Sequence, residues 1–411
     1  MNEIKVACRS CGKRDLRMIL SLGRMPLANA LLTSEELTLP EACYPLDLVF
    51  CPNCKLVQIT KTVPPEKLFG EYLYFSSFSD TMLKHAKELV NSLIQSRRLD
   101  SSSSVIEVAS NDGYLLQHYQ QKGVPVLGIE PAANIARVAR EERGTPTLCE
   151  FFGEGLARRL CEEGKRADVI HAHNVLAHVA DLNGFVAGIS QLLKEDGVVV
   201  IEVPYLRDLI EHCEFDTIYH EHLCYFSLSS LNYLVQRHGL MIENVERVPI
   251  HGGSLQLFIT KSGLSCASDS VKRVLREEVD LGMDEFGFYE NFARRVEILR
   301  DSLLVLLVEL KQQEKRIAAY GAAAKGSTLL NYFQIGADLL DFAVDRSKYK
   351  QGRYMPGMHL PIYSPEKLLE AMPDYVLMLT WNFADEVLDQ QEEYRRRGGR
   401  FIIPIPEVKV V

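Results

Sequence analysis

The sequence predicts an α/β protein, with two units built on parallel sheets behind a small cysteine-rich head. Three observations predict it. Short buried strands alternate with helical stretches over residues 105–205, and the same alternation returns over 316–405, beyond a long amphipathic region at 269–314. Five of the ten cysteines (Cys8, Cys11, Cys43, Cys51 and Cys54) fall within the first 54 residues. Alternation of this kind implies parallel strands with helices on both faces. At ~100–200 residues per domain, 411 residues leave room for two or three.

Each element follows from its local pattern. A helix is read from Met82 to Ile94, whose apolar residues recur near a 3.6 period. The serines 101–104 form a connection after it. In the first α/β unit the strands are 105–109, 124–130, 167–173 and 197–204, and the helices 113–122, 132–143, 153–163 and 183–194. In the second the strands are 316–322, 339–345, 374–380 and 400–405, and the helices 324–334, 365–371 and 383–397.

Composition excludes some functions. Forty-six basic against 55 acidic residues give a net charge of −9. That argues against a general nucleic-acid or anionic-membrane binder, though not against a local phosphate pocket. No apolar run reaches the ~18 residues of a spanning helix, and residues 1–15 lack the apolar core of a signal peptide. A cytoplasmic setting is expected, where cysteines ligate metals or pack rather than pair.

The head carries two Cys-x-x-Cys pairs, Cys8/Cys11 and Cys51/Cys54. Each can turn two thiolates onto one tetrahedral metal, and four thiolates close a structural zinc site. The intervening 39 residues require an inserted segment. Neither pair sits in the βαβ context of a redox motif, and the lone spacing of Cys43 disfavours it as a substitute ligand.

In VIEVASNDGYLL (105–116), Glu107 and Ala109 end a strand, and Asn111 and Gly113 form the turn before a helix. Such a turn offers backbone N–H groups to a ligand. The G-x-G-x-x-G of a dinucleotide fold is missing. Glu130 ends the next strand, where an acid can accept both hydroxyls of a ribose. Together with NVLAHV (174–179), which begins at Asn174, this points to a nucleoside cofactor; the spacing matches S-adenosylmethionine (SAM) methyltransferases as well as any other nucleotide enzyme.

Tyr219, His220, Glu221 and His222 are consecutive. In an extended segment Tyr219 and Glu221 face one way and the two histidines the other, whereas a helix changes that mapping. A histidine beside a carboxylate is suited to general-base work. HGGSLQ (251–256) has two glycines that permit close approach or simply a turn. YGAAAKG (320–326) is a strand–turn–helix that could receive a phosphate, but its spacing is not that of a P-loop.

Taken in order, CxxC, CPxCxLVQ, YxYFSSFS, EVASNDGYLL, NVLAHV, DTIYHEH, HGGSL, YGAAAKGSTLLNY, VDRSKYKQGRYMPG and LTWNF resemble the SAM-dependent C-methyltransferases of nucleotide-linked sugars. Among these are the C-3 methyltransferases of branched deoxysugar pathways. The resemblance runs from about residue 8 to 408. It implies a zinc-binding domain at 1–70, a Rossmann-like SAM methyltransferase domain at 71–245, and a Rossmann-like domain at 246–411 that helps to hold the nucleotide-sugar.

The implied substrate is a 4-keto-6-deoxy hexose linked to dTDP or GDP, methylated at C-3 through an enolate. By motif, His222 is the implied general base, with Glu221 and Tyr219 beside it and His178 as a second active-site histidine. Glu107, Ala109, Asn111, Gly113, Glu130 and Asn174 fall to the cofactor. Tyr72, Tyr74 and Ser77 fall to the sugar and pyrophosphate, and Lys325, Asn331, Lys350, Arg353 and His359 to the nucleotide. Ser347-Lys348 replaces the Asn-Pro of many relatives, and Gln256 a frequent arginine. A monomer is expected. The rival expectations are an O- or N-methyltransferase on a nucleotide-sugar, or a SAM-fold binding protein without turnover.

Overall fold

A computed structural model describes residues 6–69, 75–250, 252–264 and 266–411. Three sheets organise it. The head has a four-stranded antiparallel sheet of Arg17–Pro26, Cys43–Phe50, Val57–Ile59 and Cys224–Tyr225. Its fourth strand comes from far along the chain, with Gln58 opposite Cys224. The two residues that follow the Tyr-His-Glu-His run are thereby fixed to the head.

The middle sheet has seven strands, in the order Leu240–Val248, Ser254–Lys261, Leu193–Pro204, Ala167–His173, Val105–Val108, Val126–Ile129 and Thr147–Leu148. The last five run parallel, and the first two add an antiparallel hairpin at the edge. Val105–Val108 lies at the centre of the five parallel strands, wholly buried, as a strand covered on both faces must be. The helix Asp80–Arg97 covers one face through Met82, Ala86, Leu89, Val90 and Leu93. Ser79 caps it by accepting from the Met82 N–H.

The hairpin spans the expected boundary between the second and third parts. A break at 245/246 would cut through the strand Leu240–Val248, and Ser254–Lys261 pairs with Leu193–Pro204 of the middle sheet. Edge hydrogen bonds hold these residues to the middle sheet, so that sheet runs to Lys261. The glycines of the hairpin turn also have a reason. A Cβ at Gly252 would stand 2.6 Å from Glu214 Oε1, and one at Gly253 would collide with Asp208. They allow close approach to the protein's own carboxylates.

Two helices, Asp269–Asp280 and Phe292–Gln312, form the connector. The C-terminal sheet follows, ordered Ile362–Tyr363, Ala343–Val344, Ile317–Tyr320, Tyr375–Met378, Arg400–Ile403 and Lys409–Val410. Successive strands move outward on one side of Ile317–Tyr320 and then on the other. The crevice between Tyr320 and Met378 is thus the switch point where open α/β sheets take ligands. One hydrophobic core runs through all three parts, from Cys8 through Ile201 to Ile405. No helix among the described residues is long and apolar enough to cross a membrane.

Candidate active site

In the head, the hairpin between Cys43–Phe50 and Val57–Ile59 turns through Cys51 and Cys54, which brings them against Cys8 and Cys11. All four sulfurs lie within 4.8 Å of one another. Cys8 and Cys54 are 3.4 Å apart, and Cys11 and Cys51 3.5 Å. Tetrahedral zinc with ~2.3 Å bonds to sulfur needs ligands roughly 3.8 Å apart, so the donor set fits the ion. Cys43 opens a strand opposite Pro26 and takes no part in the cluster.

The cofactor crevice opens at the carboxyl ends of the central strands. Ala109, Asn111, Gly113 and Asn174 all have positive φ (54°, 49°, 78° and 53°). Three of these are not glycine, and such strain is retained where the turn must bend around a ligand. Glu107 is buried, and its Oε2 has no partner. Burial, then the charges of Asp112 and Glu130, push its acid well up. Glu130 accepts from the N–H of Asn111 (3.0 Å) and of Ala132 (2.9 Å), and burial raises it to about 7.

Ser110 Oγ, Asp112 Oδ1 and Asn174 Oδ1 are also buried without partners. Buried polar atoms are seldom left unsatisfied, so this group fits a polar cofactor of nucleoside type. Ser110 and Asp112 escaped sequence reasoning, although they flank Asn111 in the same turn. Ser77 lies over this turn, with its hydroxyl donating to Asp112 Oδ2 at 2.5 Å. Tyr72 and Tyr74 lie outside the described residues.

The Tyr-His-Glu-His run forms neither a strand nor a helix. His222 N–H donates to Tyr219 O at 2.9 Å, closing a tight turn. The alternating faces of an extended segment are therefore absent. Tyr219 and His222 meet, with the hydroxyl 2.9 Å from Nε2. Glu221 turns to the head and accepts from Asn29 Nδ2 at 2.7 Å. His220 turns to Pro45 O.

His222 Nδ1 donates to Thr217 O at 3.0 Å, which leaves Nε2 as the acceptor. The His178 ring stands edge-on to His222, 4.8 Å between centroids, and burial lowers it to about 4. His178 follows Asn174 by one short turn, so the pair of histidines adjoins this crevice. Glu221 is buried. Burial pushes it up to about 7, against the pull of the Asn29 amide and the Lys350 charge.

The C-terminal residues divide by neighbour. Lys325 donates to Asn382 Oδ1 at 2.9 Å and sits 4.5 Å above the Trp381 ring. Burial lowers it, while Asp216 and Glu214 draw it back up. Trp381 Nε1 donates to Asp216 Oδ2 at 2.8 Å, which fixes the turn bearing Thr217. Lys350 bonds Ala322 O (2.9 Å) and Asp345 Oδ2 (3.4 Å) at the switch point. Asn331 braces the chain through Ser327 O and Pro356 O. Arg353 N–H bonds Lys350 O, and His359 pairs with the head's Glu41 at 2.6 Å. Gln256 donates to buried Glu202, which also holds His85 at 2.6 Å.

Known proteins match the chain in the same three parts. Residues 8–69 match a zinc binding domain, 82–245 a methyltransferase domain, and 249–406 a C-methyltransferase C-terminal domain. The C-methyltransferase NovU of Streptomyces niveus is 36% identical over 405 residues, which cover 98% of this chain and 96% of the relative. A ubiquinone biosynthesis O-methyltransferase of Bartonella quintana is 27% identical over 97 residues, 24% of this chain and 39% of its own length. Among solved structures, the PH0226 protein of Pyrococcus horikoshii is similar over 49% of this chain and 100% of its own, at 16% identity and a TM-score of 0.38. The match to NovU spans the head, the cofactor crevice and the C-terminal sheet alike, and the chain belongs to the family of SAM-dependent C-methyltransferases.

Proposed function

We propose that the chain methylates C-3 of a 4-keto-6-deoxy hexose carried on a nucleoside diphosphate, with His222 as the base. The observation that carries this reading is the His222 ring. Thr217 O holds its Nδ1 proton, and Nε2 is left as an acceptor beside the cofactor crevice. A keto group acidifies the neighbouring C–H, so one oriented imidazole suffices to remove the proton. Bound SAM supplies the methyl group on a sulfonium, a good leaving group.

The chain's residues do the rest. Arriving substrate takes the place of the Tyr219 hydroxyl at Nε2, and that hydroxyl turns its proton to the keto oxygen, where the enolate charge develops. Glu221, as a carboxylate, accepts a sugar hydroxyl and sets the ring. Glu107 and Glu130 orient the cofactor. The C-terminal switch point, with Lys350 and Lys325, takes the nucleotide end. A single chain carries every one of these groups, and we read it as a cytoplasmic monomer.

The test is solvent exchange. With S-adenosylhomocysteine in the cofactor site, wild-type enzyme in deuterated water should exchange the C-3 proton of dTDP- or GDP-linked 4-keto-6-deoxyglucose, as seen by NMR. His222→Asn should lose at least ~100-fold of that exchange while binding SAM normally. With SAM, the product should carry a methyl on a quaternary ring carbon. An O-methyl product, or undiminished exchange in the variant, would overturn the reading.

A further inference from the structure

Glu221 is buried among three elements that belong to different parts of the chain. The head supplies Asn29, whose Nδ2 donates to Oε1 at 2.7 Å. The C-terminal unit supplies Lys350, whose charge is felt at Glu221 and which is itself paired with Asp345 at 3.4 Å. The middle unit supplies His178, which bonds the backbone at Glu221 and Asn174.

Asn29 is not a loose surface residue. The loop that bears it leaves the strand Arg17–Pro26, whose last residue pairs with Cys43. It ends at Leu32, which exchanges two backbone hydrogen bonds with Tyr354 at 2.9 and 2.8 Å. Ala28 and Leu31, on either side of Asn29, are buried. Both ends of the loop are thus pinned, one in the head and one on the C-terminal unit. The amide is held at a fixed place, and a fixed donor is worth more to a buried carboxylate than a mobile one.

We propose that Asn29 is a positioning residue for methyl transfer: its amide holds the Glu221 carboxylate in place and in its ionised form, making the cysteine-rich head a working part of the reaction centre. The role in transfer rests on the reading of Glu221 as the group that meets the sugar. The hydrogen bond stands without it. A donor to the charged form favours that form. Without the donor, only the Lys350 charge opposes burial at Glu221, and a higher pH is needed to ionise it.

The experiment reads the Glu221 carboxyl directly, by infrared pH titration of the full-length zinc-bound protein, with Glu221→Gln subtracted to isolate the band. The wild-type midpoint should lie near pH 7. In Asn29→Ala it should rise by ~1 pH unit. Asn29→Leu keeps the branched shape but removes the donor without adding a charge, so its midpoint should rise as far; a role in packing alone would leave Asn29→Leu like wild type. The acid limb of kcat/KM should move with the infrared midpoint, costing ~10-fold below it. Unmoved midpoints in both variants would overturn the inference. A Glu221→Gln enzyme with the wild-type pH profile would instead overturn the reading of Glu221 and leave the Asn29 bond standing.

Discussion

The turn through residues 219–222 sorts four adjacent polar side chains among three destinations. Tyr219 and His222 face each other, Glu221 faces Asn29, and His220 faces Pro45. The motif was legible in the sequence, but its geometry was not. A run of four polar residues has no apolar periodicity to tell a turn from a strand. Asn29 had still less signal, as an asparagine in a loop 192 residues away from its partner. The buried charge at Glu221 has a cost that can be measured. The fold raises this group to about 7 from the ~4.3 of an unfolded chain. Its contribution to stability is therefore whole below about pH 4.3 and is lost as pH rises through 7. Glu221→Gln should match wild type in stability at pH 3.5 but exceed it at pH 8, by on the order of 3 kcal/mol, with loss of activity. Calorimetry at the two pH values checks this, and a variant that melts lower at pH 8 would refute it.

At the scale of elements, the parallel strands of both α/β units were legible because buried strands give unbroken apolar runs. The head strands and the edge hairpin were not, because register shifts break their alternation. The strand Arg17–Pro26 has shifts between Met18 and Leu20 and between Ser21 and Arg24, and the hairpin has one between Ile242 and Asn244. Each irregularity turns the side-chain pattern over, so the period of two fails in the sequence while the pairing survives in space. Pairing across 166 residues, as between Gln58 and Cys224, leaves no local trace at all. Close approach of elements yields its own test. The helix Ala324–Phe333 packs on the strand end at Leu379 through Gly326, where a Cβ would stand 2.8 Å from the Leu379 Cβ. Gly326→Ala should destabilise the protein by ~1–3 kcal/mol despite its better helix propensity. A shift of the denaturant midpoint measures it, and an unchanged or raised midpoint would show that the two elements can part without loss.

For the whole molecule, the three-part division was visible in cysteine placement and alternation, yet one hydrophobic core runs through all three parts and the head reaches Glu221 through Asn29. The zinc site should therefore matter beyond the head. Mass spectrometry should find about one zinc per chain. Stripping it with a strong chelator should lower the melting temperature and abolish turnover, since structural zinc contributes ~10 kcal/mol or more to the fold it closes. Zinc well below one per chain, or a chelated protein that melts and turns over as before, would refute a structural metal. The strand Cys224–Tyr225 carries a different lesson, about exchange of parts. It closes the open side of Val57–Ile59, a strand whose residues are all buried. A head cut free near residue 69 would bare that edge as a template for foreign strands. The head is thus no cassette to be traded between relatives by recombination. A head transplanted without 224–225 would leave Val57–Ile59 without the strand that closes it.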